Sequence, residues 1–104
     1  MFVELRRYRI VPGELHHYIH LYQSVGVAIQ SLHLGKPLGY YTPMTGNQNE
    51  VIHLWQYLDL EDRTKRRAEL FADQKWLSFI SQTKPLILDM HSDFINPVIL
   101  EESN

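Results

Sequence analysis

Apolar residues in this chain switch between a period of two and a period near 3.6, and that alternation limits the fold more than any other feature. Phe2 to Val11 alternates as a strand does and is closed by the Pro12-Gly13 turn. Val3 and Leu5 point one way, and Phe2, Glu4, Arg6, Tyr8 and Ile10 the other. From about Glu14 to Leu34 the period is helical. Leu15, Tyr18, Ile19, Tyr22, Val25, Ile29 and Leu32 form one stripe, Gly26 marks a break or a close approach, and Gly35 a stop. Leu38 to Met44 is a second strand, joined through Gly46-Asn47-Gln48-Asn49 to a third at Glu50 to Leu58. On the third strand Ile52, Leu54 and Leu58 share one side, and His53, Trp55 and Tyr57 the other. Acids at Asp59, Glu61 and Asp62 open a helix that runs to about Phe71. Another helical piece carries Trp76, Phe79 and Ile80 and ends near Lys84-Pro85. Leu86 to Ile95 is the last strand, stopped by Asn96-Pro97.

The order β-α-β-β-α-β predicts an α+β, ferredoxin-like fold: a four-stranded antiparallel sheet in spatial order 4-1-3-2, with helices on one face. At 104 residues there is room for one domain, spanning 1–100, with a polar tail at 101–104. The aliphatic sets suit the helix-covered face. The other face would then carry Phe2, Tyr8, Trp55 and Tyr57 beside Tyr40 or Tyr41. Aromatics that each bury roughly 150–250 Å² make too large a patch to leave in water. A second copy of the chain would cover it and close a dimeric α/β barrel. The alternative is an amphipathic face left exposed, as in many antiparallel sheets.

The net charge of −2 supplies no general attraction to nucleic acid or anionic lipid. The one basic run, Arg63-Thr64-Lys65-Arg66-Arg67, reads as a solvated helix face with Asp62–Arg66 and Lys65–Glu69 pairs. The absence of cysteine removes disulfides, thiolate zinc sites and a cysteine nucleophile, and fits the cytoplasm. The N-terminus carries charge where a signal peptide is apolar, and no apolar run approaches the ~20 residues of a membrane span. Nucleotide-binding and metalloprotease motifs are missing, so no cofactor is expected.

Several segments, taken together, resemble the NIPSNAP family. They are Val3-Glu4-Leu5-Arg6-Arg7-Tyr8 before Pro12-Gly13; His33-Leu34-Gly35-Lys36 leading into Leu38-Gly39-Tyr40-Tyr41; Val51 to Tyr57; Leu60-Glu61-Asp62-Arg63 with Arg66-Arg67; and Trp76 to Pro85. The resemblance runs to about Pro97 and implies the ferredoxin-like dimeric barrel. It implies little about activity. Related barrels include cofactor-free monooxygenases of the antibiotic-biosynthesis type and haem-degrading enzymes, which is an analogy of fold alone.

Glu4, Arg6 and Tyr8 with His53, Trp55 and Tyr57 form the sharpest chemical constellation. Strands 1 and 3 are central neighbours, so both triplets face one interior, where apolar walls and a few polar groups suit a small organic ligand. His53 is the candidate general base or acid, its proton affinity set by burial and Glu4; Arg6 would hold a carboxylate, phosphate or enolate. Tyr41, and by the resemblance His33, would stand at the edge. The ligand would sit inside the barrel or between sheet and helices. A His53 packed against the helices would sink that six-residue site. The competing reading is a Glu4–Arg6 ion pair with His53 hydrogen-bonded beside it, in a homodimeric scaffold or protein-interaction module without catalysis. Without considering structure, cofactor-independent proton transfer or monooxygenase-type chemistry and the scaffold both remain open. His16, His17 and His20 are too few for a metal site and read as surface residues, while His33 suits the C-terminal end of its helix. Whether His91, Asp89 and Asp93 face the interior is left open.

Overall fold

The computed structural model describes residues 1–101, so the polar tail beyond Glu101 lies outside the described residues. Strands β1 (Phe2–Ile10), β2 (Gly39–Tyr41), β3 (Glu50–Tyr57) and β4 (Ile87–Ile95) form one antiparallel sheet in the order β2-β3-β1-β4. Helices α1 (Leu15–Leu21) and α2 (Val27–Leu34) are joined by a π-helical turn, Tyr22–Gly26. Helices α3 (Leu60–Phe71) and α4 (Gln74–Thr83) precede β4 through a short 3-10 turn, Lys84–Leu86. This is the ferredoxin-like α+β topology expected from the periodicity. No helix among the described residues is long and apolar enough to cross a membrane.

Local chemistry accounts for the element ends. Asp59 caps α3 by accepting from the Asp62 amide at 2.7 Å, and Asp73 caps α4 by accepting from the Lys75 amide at 2.9 Å. Gly35, at φ 80°, closes α2 with its amide donating to the Ser31 carbonyl. Strand β2 is shorter than the expected Leu38 to Met44, because Pro43 has no N–H to continue the ladder.

The helical stripe differs from a simple 3.6 repeat. Tyr18, Tyr22, Gly26, Gln30 and Leu34 are buried, whereas Val25 is 43% and Leu32 76% exposed. The π turn inserts an extra residue, so a strict i+4 series stays on the inner face. Gly26 marks the close approach expected of it: a Cβ there would lie 2.6 Å from Phe79 Cζ.

The expected assignment of the sheet faces is reversed. Glu4, Arg6, Tyr8 and Ile10 on β1, and Val51, His53, Trp55 and Tyr57 on β3, lie beneath the helices. The hydrophobic core joins Tyr8, Ile10, Val51, Trp55 and Tyr57 to Tyr18, Tyr22, Leu34, Leu70, Trp76 and Phe79. Leu5, Ile52 and Leu54 lie on the open face and are only partly buried, and Leu58 is 72% exposed. The cause lies in α3. Leu70 is its one buried apolar side chain, and Arg63 and Arg67 occupy the preceding turns of the inward face. A helix that presents guanidinium groups needs a carboxylate beneath it rather than Leu54. Glu4 supplies that partner.

Candidate functional site

The β1–β3 register sets Glu4 opposite Trp55 and Arg6 opposite His53, while Tyr40 of β2 lies on the other side of His53. The two triplets therefore do share one face. Glu4 is fully buried. Arg63 donates to both of its oxygens, Nε and Nη2 each at 3.0 Å, and Arg6 Nη1 donates to Oε2 at 2.9 Å. Ser92 Oγ donates a short bond to the same carboxylate. Burial alone would raise the Glu4 pKa. The bonds from Arg63 and Ser92 and the charges of Arg6 and Arg63 prevail and hold it at about 2.

Arg6 Nε also donates to the Tyr8 hydroxyl at 3.0 Å. Burial disfavours the Arg6 charge, but Tyr8 and Glu4 more than offset this, and its pKa is raised. The ion pair of the scaffold reading is thus present. His53 beside it is hydrogen-bonded as well, though to Trp55 and not to Glu4 or Arg6. Trp55 Nε1 donates to His53 Nδ1 at 2.6 Å. Burial, with Arg6 adding to it, pushes the His53 pKa down to about 3. The ring is therefore neutral. An indole N–H only donates, so Nδ1 is the acceptor and the ring proton is on Nε2. That nitrogen is buried without a partner among the described residues. Tyr40 stacks on the imidazole at 4.9 Å, and Tyr8 meets it edge-on at 4.8 Å.

Between this face and the helices lies a cavity of about 580 Å³, within the range of small-molecule sites. Arg6, Tyr8 and His53 line it from the sheet, Tyr18, Gln30 and Trp76 from the helices, and Leu88 to Met90 at the β4 side. His53 does pack against the helices, which sinks the six-residue site as expected from the sequence; the space beside it is a cavity on the helical side that only Arg6, Tyr8 and His53 of the six line. Glu4, Trp55 and Tyr57 do not line the cavity. Glu4 stands behind Arg6, and Trp55 fixes the His53 tautomer. Tyr41 is 53% exposed on the open face. His33 lies away from the cavity, its Nε2 2.8 Å from Asp73 Oδ2, tying α2 to the start of α4. His16, His17 and His20 are exposed, and His17 meets Glu14 at 3.0 Å. Asp89, His91 and Asp93 follow the open-face register opposite Arg9, Arg7 and Leu5, although Asp89 also reaches the cavity wall.

Sequence reasoning missed Gln30 and Arg67. Gln30 is buried, and its Oε1 accepts from the Tyr22 hydroxyl at 2.6 Å. Arg67, placed in the solvated basic run, is half-buried in the cavity wall and stacks over Phe71 at 5.2 Å. Only part of that run is solvated: Arg66 pairs with Asp62 at 2.8 Å as expected, while Arg63 and Arg67 turn inward. The available signal was the missing apolar stripe of α3. A helix with four cations and one buried leucine must face some of those cations to the sheet.

The NIPSNAP family model matches residues 3–100. The NipSnap homolog of Dictyostelium discoideum is 30% identical over 97 residues, covering 93% of this chain and 43% of that protein. The chain spans less than half the length of the curated relatives it matches. Among solved structures, a NIPSNAP family protein with unknown function from Agrobacterium tumefaciens superposes with a TM-score of 0.93 at 37% identity, covering 97% of this chain and 91% of that one. A putative antibiotic biosynthesis monooxygenase from Nitrosomonas europaea gives 0.69 at 8% identity, covering 95% of this chain and all of the other, a likeness of fold alone. With the family model running over nearly the whole sequence, the chain belongs to the NIPSNAP family.

Proposed function

We propose that this domain binds a small organic molecule in the cavity between sheet and helices, and that two copies pair through their open sheet faces. The observation that carries the binding reading is the unpartnered His53 Nε2 at the wall of a 580 Å³ aromatic-lined cavity. A buried N–H without a partner costs about 1–3 kcal/mol, a cost that a ligand oxygen would offset. Arg6, held by Glu4 and Tyr8, is a fixed donor beside it. Any turnover would be cofactor-independent proton transfer or monooxygenase-type chemistry on an enolisable or aromatic substrate. His53 would then act as a neutral donor to a developing oxyanion rather than as a base, because its Nδ1 is engaged and its pKa is far below neutral. The pairing reading rests on Leu5, Ile52 and Leu54, partly exposed in adjacent rows of the open face beside Ile95 at 43% and Tyr41 at 53%.

A neutral fluorophore tests the cavity. N-Phenyl-1-naphthylamine should bind the purified protein at one site per chain and brighten. Thr83→Phe, which projects a ring from the cavity wall into the space, should abolish that binding. No binding to wild type, or binding that Thr83→Phe leaves intact, would overturn the reading.

A further inference from the structure

Polar groups at this cavity are lopsided: they donate and scarcely accept. His53 Nε2 and Trp76 Nε1 are buried without partners among the described residues, and both carry protons. Gln30 has its carbonyl oxygen engaged by Tyr22, which leaves the amide N–H groups as its free polarity. The Tyr8 oxygen accepts from Arg6, so its own proton is free to be given. The one carboxylate in the lining, Asp89, is ion-paired with Arg9 on the exposed side.

Charge is lopsided in the same sense. Arg6, Arg63 and Arg67 surround the single carboxylate Glu4, and Arg6 and Arg63 bond it directly. Arg67 has no ion-pair or hydrogen-bond partner among the described residues, yet it is half-buried in the cavity wall. Its pKa is lowered by burial and by the charges of Arg6 and Arg63, which is the strain of an unneutralised cation.

Accepting the cavity as a binding site, we infer that its ligand is an organic acid: a flat, largely apolar body bearing an anionic oxygen group, a carboxylate or an enolate. Arg67 neutralises that charge, and His53 Nε2 and Trp76 Nε1 supply the neutral donors. A guanidinium stacked on Phe71 presents its fork in a fixed plane, as a two-oxygen anion requires. Body and charge have separate supports, since Tyr18, Leu70, Phe79 and Ile80 also line the space. A cationic or purely hydrocarbon ligand would leave the donors unmatched.

Two dyes with one ring system separate this inference from the reading beneath it. 8-Anilinonaphthalene-1-sulfonate differs from N-phenyl-1-naphthylamine by one anionic oxygen group. Wild type should bind the sulfonate about tenfold or more tightly than the neutral dye, the size expected for a charged hydrogen-bonded contact. Arg67→Gln should bring that ratio close to one. Arg67→Lys, which keeps the charge, should retain most of the preference, and Lys65→Gln, at an exposed cation of the same helix outside the cavity wall, should retain it fully. Circular dichroism of each variant confirms folding. Equal binding of the two dyes by wild type, or a preference that survives Arg67→Gln, overturns the anion inference and leaves the binding site standing. Failure of both dyes overturns the binding site itself.

Discussion

Glu4→Gln is the most informative single change to the folded state. Gln keeps the shape of the side chain and removes the charge that faces Arg63 and Arg6 at 2.9–3.0 Å. Two guanidinium groups would be left against a neutral amide beneath the helices, and breaking a buried pair in this way costs about 3–5 kcal/mol. The titration behaviour gives a second route to the magnitude. A carboxyl at 4.5 in the unfolded chain and about 2 in the fold contributes about 3 kcal/mol at neutral pH. Because the folded value is the lower one, that contribution is complete above 4.5 and is lost as pH falls toward 2. About 2 kcal/mol of it should be gone by pH 3. Urea denaturation of wild type and Glu4→Gln at pH 7 and pH 3 isolates this group, since the other carboxylates titrate in both proteins. The stability difference should be about 3–5 kcal/mol at pH 7 and about 2 kcal/mol smaller at pH 3. A difference under about 1 kcal/mol at pH 7, or one that does not shrink in acid, would refute the account of Glu4 as the charged keystone under α3. If Glu4→Gln does not fold, Ser92→Ala removes one donor to the same carboxylate and should raise its titration, readable by carbon NMR of the Glu4 side chain.

His53 should show no titration between pH 5 and pH 8 in nitrogen-detected NMR and should carry its proton on Nε2; a His53 signal titrating near neutrality would refute the buried, Trp55-bonded geometry. Gly26→Ala should cost about 1–3 kcal/mol in thermal or urea unfolding, because its methyl meets Phe79 Cζ at 2.6 Å, and an unchanged melting temperature would show that the contact yields freely. Deleting Val25 should leave stability within about 1 kcal/mol, since a regular α-helix one residue shorter keeps the same side chains inside. An alanine inserted after Val25 should be far more damaging, and equal damage from both changes would refute the register account. Leu54→Glu should convert a sedimenting dimer to a monomer, and a monomeric wild type would remove the pairing proposal.

Much of this architecture is legible in the period of the residues alone. Strands, helices, strand order and the shared parity of Glu4, Arg6, Tyr8, His53, Trp55 and Tyr57 depend on local spacing and a small set of allowed topologies. Which face the helices cover was not legible in the same way. Hydrophobicity ranks Leu5, Ile52 and Leu54 above Glu4 and His53 for burial, and the ranking holds only when no partner is supplied. Here the partner is Arg63, fifty-nine residues away from Glu4 on another element. Pairing at that distance has no periodic signature. It becomes visible only by asking what the inward face of a helix with a single buried apolar side chain must touch. The same blind spot hid Arg67, whose neighbours are the exposed Lys65 and an Arg66 already paired with Asp62.

Gln30 was hidden for a different reason, which ties the helix geometry to the chemistry of the cavity. Residues 18 and 34 of a regular α-helix would lie about 160° apart around the axis, on nearly opposite sides. The π turn takes up one residue without advancing the face and reduces that angle to about 60°. An uninterrupted helix would keep the expected stripe, with Val25, Ile29 and Leu32 inside, and the cavity roof would be aliphatic. The extra residue instead expels Val25 and Leu32 and brings Gln30 inward, where Tyr22 fixes its oxygen and the amide N–H groups remain to be given. Gly26 permits the insertion because Phe79 occupies the space a side chain would need. A fold concerned only with burying apolar surface gains nothing by exchanging valine and leucine for glutamine at a helix–sheet interface. The exchange makes sense where a polar group is required in the roof. It agrees with the donors below it: His53 held as a donor by Trp55, Arg6 fixed by Glu4, and Arg67 without a counter-charge among the described residues. Four local devices therefore converge on the same polarity at one cavity, and that convergence is the physical case for a ligand rather than for packing alone.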